Sequence, residues 1–437
     1  MSYIETIKYL YDSTPVFQKE GQAAYKEGLD NTLAFDEHFG HPHRQYKTIH
    51  IAGTNGKGSC AHTLAAVLQS AGYKTGLYTS PHLVDFRERI RINGQPISED
   101  YVVNFVDKER RFFEPLHPSF FEITTAMALK YFADEQVDIA VIEVGLGGRL
   151  DCTNIIRPIL SVITNISFDH VQFLGHTLDA IAEEKAGIMK QGVPVVIGEY
   201  TEETRKVFED KSEEAGAPLC FAEDHQEICS YQADYKRGGF EYVTKTYGKL
   251  HGELGGLCQE KNTNTILNAI SQLKKSGLKL SKKDVRQAFE NVCSLTGLMG
   301  RWQTIKNERP TVVCDTGHNE GGFKYIARQL KAQTCETMRI IIGMVNDKDV
   351  RAVLALLPKN AIYYFTKASV KRAIDENELK NLAEDYGLKG KTYQTVVSAY
   401  QAAISDSQPQ DFVYIGGSSY VVADFLTFFM PKMSTQD

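Results

Sequence analysis

Two rhythms of apolar residues alternate along most of the chain. Short apolar runs such as Lys47-Thr48-Ile49-His50-Ile51-Ala52 predict buried strands. Between such runs apolar residues recur at helical spacing, as Ala61, Leu64, Ala65 and Leu68 do within Ser59 to Ala71, a stretch that stops at Gly72. Further strands are predicted at 75–79, 138–144, 159–166 and 194–197, and helices at 99–115, 119–135 and 178–189. Strands alternating with helices mean crossover units on a parallel sheet. Residues 1–46 show no clear period and read as a helical lead-in. From 218 to 257 the pattern is shorter and more β-like, punctuated by Gly238-Gly239 and Gly255-Gly256; helices near 262–275 and 281–292 close this half. The helix-poor stretch 294–300 reads as a domain boundary. Alternation then restarts, with strands at 311–315, 338–343, 361–366 and 411–415 and helices at 321–332, 349–356, 376–386 and 396–405. The fold class expected is α/β in two domains, 1–296 and a smaller 297–437.

Length supports that division, since 437 residues exceed the roughly 250–300 at which a single core stops growing. With 49 Lys and Arg against 55 Asp and Glu, the formal charge is −6, which argues against a nucleic-acid or anionic-membrane partner while leaving room for a local anion pocket. No apolar run approaches the ~18 residues of a spanning helix, and Met-Ser-Tyr-Ile-Glu lacks the features of a signal peptide. None of the 8 cysteines forms C-x-x-C, so they read as free thiols in a reducing, cytoplasmic setting.

Candidate chemistry gathers where predicted strands end. Gly53-Thr54-Asn55-Gly56-Lys57-Gly58-Ser59 lies between a strand and a helix. Glycines there let successive N–H groups turn toward phosphate oxygens, the helix N-terminus adds its positive end, and the lysine adds a charge. The string departs from the Walker pattern at Ile51 and Gly58, and a ligand-free glycine turn is the alternative. Ser80, in Thr79-Ser80-Pro81-His82-Leu83, offers a hydroxyl that could ligate Mg²⁺ or simply belong to a turn. Glu143 ends an apolar strand before Gly145-Leu146-Gly147-Gly148; a lone buried carboxylate is costly, which favours metal ligation over an ion pair. His170 closes Thr164-Asn165-Ile166-Ser167-Phe168-Asp169-His170 and is either a site residue or a surface histidine. By spacing alone Lys185 reads as a helix-surface lysine paired with Glu183 or Glu184. In the second half, Asp315-Thr316-Gly317-His318-Asn319 and Asp347-Lys348-Asp349 also follow strands.

Taken in order, these strings resemble the folylpolyglutamate synthase/dihydrofolate synthase family, relatives of the muramyl ligases. The resemblance is carried by GTNGKGS at 53–59, SPHL at 80–83 with Glu88-Arg89-Ile90, EVGLGGRLDCTN at 143–154, NISFDH at 165–170, EKAGI at 184–188, Gly300-Arg301, DTGHN at 315–319 and Asp347-Lys348-Asp349. It spans about residues 47 to 420. It implies an N-terminal P-loop ATPase domain and a C-terminal Rossmann-like domain. The implied activity is ATP-dependent addition of L-glutamate to the γ-carboxyl of a reduced folate through an acyl phosphate, and in some members to dihydropteroate.

By the same resemblance Thr54, Asn55, Gly56, Lys57, Gly58, Ser59, Asn262, Arg301 and Asp315 contact ATP, with Asn264 a rival to Asn262. Ser80 and Glu143 hold one Mg²⁺ and His170 a second, and Lys185 is carried as a carbamate. Lys57, Lys185 and His318 are the catalytic candidates, while His82 and Ser418 are expected at the folate and glutamate. A cytoplasmic monomer acting on small molecules is expected. A muramyl-ligase-type amino-acid ligase shares the fold and the chemistry, but its loop usually ends Lys-Thr-Thr or Lys-Thr-Ser, and here it ends Lys57-Gly58-Ser59. A P-loop switch ATPase is the reading from another class, and such a protein needs no second Rossmann-like domain.

Overall fold

The run Ile139–Glu143 is buried at every position because it is an inner strand of a mostly parallel sheet, covered on both faces. The structure is a computed structural model describing residues 1–15, 28–234, 236–306, 310–346 and 349–430. It divides into two compact units: Met1–His82 with Phe86–Glu253 and Gln259–Leu298, and Leu83–Asp85 with Leu254–Cys258 and Met299–Asp437.

The first unit holds eight strands in one sheet: β1 (Lys47–Ala52), β2 (Thr75–Tyr78), β3 (Ile90–Ile92), β4 (Gln95–Pro96), β5 (Ile139–Glu143), β6 (Leu160–Ile163), β7 (Val195–Ile197) and β8 (Leu219–Phe221). Their order is β4-β3-β2-β5-β1-β6-β7-β8, with β3 and β4 antiparallel at one edge. Because β2 crosses past β5 while β6 pairs on the other side of β1, the strand order reverses at β1. That reversal opens a crevice at the carboxyl ends of the strands, the usual ligand position in open α/β sheets. Register sets Ile51 beside Glu143 and Ala52 beside Ile163, so the segments after β1, β5 and β6 emerge together.

Helix Lys57–Ser70 is apolar on nearly every side, and accordingly every residue from Gly58 to Leu68 is buried. Helices Glu99–Phe113 and Phe120–Asp134 pack an aromatic-rich core on one side of the sheet, with Phe105, Phe113, Phe120 and Phe132 buried. A separate antiparallel sheet, β9 (Ile228–Ala233), β10 (Phe240–Thr244) and β11 (Gly248–Gly252), follows.

The second unit has β12 (Gln303–Lys306), β13 (Thr311–Cys314), β14 (Met338–Ile342), β15 (Ile362–Thr366), β16 (Lys389–Tyr393) and β17 (Phe412–Gly416), ordered β12-β13-β17-β14-β15-β16. Only β12 is antiparallel. β17 separates β13 from β14, so this sheet too has a switch point, just before Asp315. Among the described residues no helix is long and apolar enough to cross a membrane.

The alternation predicts these elements well, with several corrections. Helix Glu202–Ala215 is absent from the sequence reading because only Thr204 and Phe208 of its residues are buried, so it carries almost no apolar stripe. β3, β4, β12 and β16 are edge or near-edge strands, short or polar, with little pattern to read. Residues expected to be helix-poor include the short helix Val292–Thr296. Helix Ser419–Phe429, rich in apolar residues, closes the chain's described part. Asp347 and Lys348 lie outside the described residues, and Asp349 caps helix Val350–Leu356 by accepting from Ala352 N at 3.0 Å.

Candidate active site

The loop after β1 is held by the loop after β6. Thr54 N donates to Asn165 O and Asn55 N to Asn165 Oδ1, each at 2.9 Å, and the Thr164 hydroxyl donates to Asn55 O at 2.5 Å. Gly53 has φ +139°, and a Cβ there would fall inside the Thr164 hydroxyl. Gly56, at φ +85°, would drive a Cβ into the Asn262 amide. Both glycines are therefore required by close approach as well as by φ. The side chains that shape the loop, Thr164 and Asn165, belong to the string in which the sequence singled out only His170.

Lys57 opens the helix after the loop, and its Nζ donates back to Gly53 O at 2.9 Å and Thr54 O at 3.1 Å. Asn262 is buried at the start of helix Gln259–Lys275, donating to Gln259 Oε1 at 3.0 Å, while Gln259 Nε2 donates to the Ser59 hydroxyl at 3.3 Å. The rival Asn264 is otherwise engaged: it donates to Ala222 O at 2.6 Å and accepts from Glu227 N at 2.8 Å. Of the two asparagines, Asn262 is the one beside Gly56 of the glycine loop.

Glu143 is 4 % exposed at the end of β5 and accepts from Ser80 N at 3.2 Å, so the carboxylate and the serine predicted as its fellow ligand are adjacent. Downstream, Asp151 accepts from Leu146 N at 2.9 Å and Thr153 N at 3.0 Å, fixing the glycine loop that follows Glu143. Burial raises its carboxyl above the ordinary value. His170 sits at φ +49°, its N–H donating to Asp169 Oδ1 at 2.8 Å.

Lys185 departs from the surface reading. It is 4 % exposed, and its Nζ donates to Gly53 O at 3.0 Å. Glu183 pairs instead with Lys211 at 3.1 Å, and Glu184 with Arg149 at 2.7 Å. Burial, then the neighbouring Lys57 charge, push the Lys185 amine down to about 7, with Asp169 pulling the other way.

His82 receives a hydrogen bond from Arg89 Nε at Nδ1, 2.8 Å, which fixes its proton on Nε2, 3.0 Å from the Tyr11 hydroxyl. Phe120 stacks on Tyr11 with centroids 5.0 Å apart and carries Arg89 5.2 Å from its centroid. Tyr11 lies in the lead-in without apolar period, so no signal in the sequence marked it.

In the second unit Asp315 accepts from Trp302 N and Gly317 N, both at 2.7 Å, and burial raises its carboxyl while those N–H groups and Arg301 oppose the rise. Arg301 donates to Gly300 O at 3.3 Å and to the Thr316 hydroxyl, and His318 Nδ1 lies 3.0 Å from Thr316 O. Asn319 and Ser418 cap the following helices, accepting from Gly322 N at 2.9 Å and Val421 N at 3.2 Å.

Residues 51–271 match the model of the Mur ligase middle domain and residues 300–419 that of the Mur ligase glutamate ligase domain. A dihydrofolate synthase/folylpolyglutamate synthase of Bacillus subtilis is 33% identical over 82% of this chain and 86% of its own. The folylpolyglutamate synthase of Lacticaseibacillus casei is 33% identical over 97% of each chain. The crystal structure of a bifunctional folylpolyglutamate synthase/dihydrofolate synthase from Yersinia pestis, complexed with AMPPNP and Mn ion, superimposes with a TM-score of 0.81 at 28% identity, covering 99% of this chain and 98% of that one. The strand-end loops and the extent of these matches lead to one conclusion: the chain belongs to the folylpolyglutamate synthase/dihydrofolate synthase family, relatives of the Mur ligases.

Proposed function

We propose that this enzyme uses ATP to join L-glutamate to the γ-carboxyl of a reduced folate through an acyl phosphate. One observation carries the reading furthest: at the carboxyl ends of β1, β5 and β6 the chain gathers a glycine loop, two lysines sharing the Gly53 carbonyl, and a buried carboxylate. The backbone from Gly53 to Ser59 binds the phosphates of ATP, and Lys57 offsets their charge. Asn262, beside Gly56, faces the nucleotide. The oxygen donors of Glu143 and Ser80 suit a hard cation, and His170 with a Lys185 carbamate would hold another. Mg²⁺ held by these groups would neutralise charge on the transferring phosphoryl group.

The depressed Lys185 pKa supports the carbamate, because only an unprotonated amine can add to CO₂. His82, held by Arg89 and Tyr11, orients the folate. The roles of Arg301, Asp315 and His318 toward ATP, and of the helix capped by Ser418 toward glutamate, rest on the resemblance. The substrates are small molecules, and the enzyme acts as a cytoplasmic monomer.

Dihydropteroate as a second acceptor is favoured by the Bacillus subtilis relative, whose name carries both activities. Assays with a reduced folate and with dihydropteroate, each with ATP and glutamate, separate the possibilities. Glutamate-dependent release of ADP and phosphate with at least the folate is expected. ATP turnover that ignores both acceptors and glutamate would sink the ligase reading.

A further inference from the structure

Away from the glycine loop, three side chains converge where the lead-in turns toward β1. Helix Asp30–His38 carries Asp36 in its last turn, and the chain then reverses through Gly40 and His41, at φ +69° and +58°, into a short turn at Pro42–Arg44. The reversal folds both imidazoles back onto Asp36. His41 Nδ1 lies 2.6 Å from Asp36 Oδ2, and His43 Nε2 lies 3.3 Å from Asp36 Oδ1. One donor atom from each of the three residues lies within 4.8 Å of the others.

A plain ion pair leaves part of this cluster unexplained. Asp36 is 7 % exposed, and its Oδ1 accepts no hydrogen bond among the described residues. A buried carboxylate oxygen left so is costly unless a cation meets it. His43 is buried, and it presents its imidazole Nε2 to the same Asp36 carboxylate. The 3.3 Å between His43 Nε2 and Asp36 Oδ1 matches the edge, about 3.3–3.4 Å, of a tetrahedron whose metal–ligand bonds are about 2.0–2.1 Å. The His41 side chain is 40% exposed, which gives an ion a way in and a place for water as fourth ligand.

We propose that Asp36, His41 and His43 form a Zn²⁺ site. Two imidazole nitrogens and one carboxylate are a common donor set for this ion. Binding replaces the proton between His41 Nδ1 and Asp36 Oδ2, which passes to solvent, and frees His41 Nδ1 to join Asp36 Oδ1 and His43 Nε2 on the ion. The ion then ties the end of helix Asp30–His38 to the turn that leads into β1.

The test is titration of the full-length protein, without nucleotide, by Co²⁺ as a spectroscopic stand-in, followed by displacement with Zn²⁺. One equivalent should give the intense visible bands of four-coordinate cobalt without the near-ultraviolet band of thiolate ligation. His41→Asn is the informative variant. Asparagine accepts the left-handed backbone and can still bond to Asp36, so the fold is kept, as circular dichroism would verify. Its affinity should drop by more than the ~10-fold that loss of an outer-shell partner costs. Zn²⁺ should raise the melting temperature of the wild type and leave that of His41→Asn unmoved. No binding, only weak six-coordinate or thiolate-bearing spectra, or equal affinity in the variant would each overturn the proposal.

Discussion

Lys185 reaches Gly53 across 132 positions of sequence, its Nζ donating to the Gly53 carbonyl at 3.0 Å from a buried position, and Lys57 Nζ donates to the same oxygen at 2.9 Å. Burial disfavours the Lys185 ammonium, and repulsion from the Lys57 ammonium on the same carbonyl adds to that. Together they push Lys185 down to about 7, which brings a neutral amine within reach at neutral pH. Carbamylation turns one of the two positive charges into a negative one and relieves the repulsion.

The first prediction follows from that pair. Protein equilibrated with ¹³C-bicarbonate should show a carbamate carbon signal that Lys185→Arg lacks. The arginine keeps a positive charge and cannot form the carbamate, and its ligase turnover should fall by roughly 10²-fold or more, the scale of losing one preorganised electrostatic group. A signal equal in both proteins would remove the carbamate.

Gly56 supplies the second. Its φ is +85°, and an added Cβ would meet the Asn262 amide. Gly56→Ala should cost about 1–3 kcal/mol of stability from backbone strain, and the displaced amide should weaken ATP binding by about tenfold. Adding Asn262→Gly removes the collision but not the strain, so the double variant should remain less stable than Asn262→Gly alone. Urea unfolding and nucleotide titration of the four proteins check this. If Gly56→Ala matches the wild type in both, the close approach of loop and helix is wrong.

Much of this site is legible before any coordinates. An apolar strand, a glycine loop and an apolar helix make a local signal, and Glu143 stands out as a carboxylate ending an apolar run. What the sequence cannot carry is which face of a helix turns inward when its neighbours are charged. Glu183 and Glu184 make Lys185 look like a surface residue, yet they pair with Lys211 and Arg149. Contacts between distant segments are equally mute: nothing near Tyr11 announces His82, and nothing near Gly56 announces Asn262. Helix Glu202–Ala215 is silent for the opposite reason, since it buries too little to leave a pattern.

His50 gives a prediction in pH. It is wholly buried in β1, with Nε2 2.8 Å from the Thr153 hydroxyl; burial, and then Lys190, push it down from 6.5 to about 3. Between those values the unfolded chain binds a proton that the folded chain does not. The stability His50 contributes is therefore present above pH 6.5 and is lost as pH falls toward 3. One proton corresponds to a slope of about 1.4 kcal/mol per pH unit. His50→Asn, whatever its stability at pH 7, should show a slope shallower by up to that amount over the same range. Denaturation midpoints measured across the range decide it, and an unchanged slope would mean that His50 takes up its proton in the folded state as well.

The acyl phosphate makes the sharpest claim about chemistry. A carboxylate is a poor electrophile, and the amine of glutamate will not displace its oxygen at a useful rate. Transfer of the γ-phosphoryl group of ATP onto that oxygen makes it a leaving group. The step requires that the phosphates be held still and their charge balanced, which is what the Gly53–Ser59 backbone and Lys57 can do, since catalysis of phosphoryl transfer is mostly positioning and electrostatics. The amine then attacks the acyl carbon, the amide forms, and phosphate departs with one oxygen that began in the folate. With ¹⁸O in the acceptor's γ-carboxyl, one labelled oxygen should appear in inorganic phosphate for each amide formed, read by mass spectrometry. Lys57→Ala should abolish amide and labelled phosphate together, because the same step makes both. Phosphate free of label during normal amide formation would mean that ATP activates some other group, and the assignment of the strand-end cluster to carboxylate activation would fall with it.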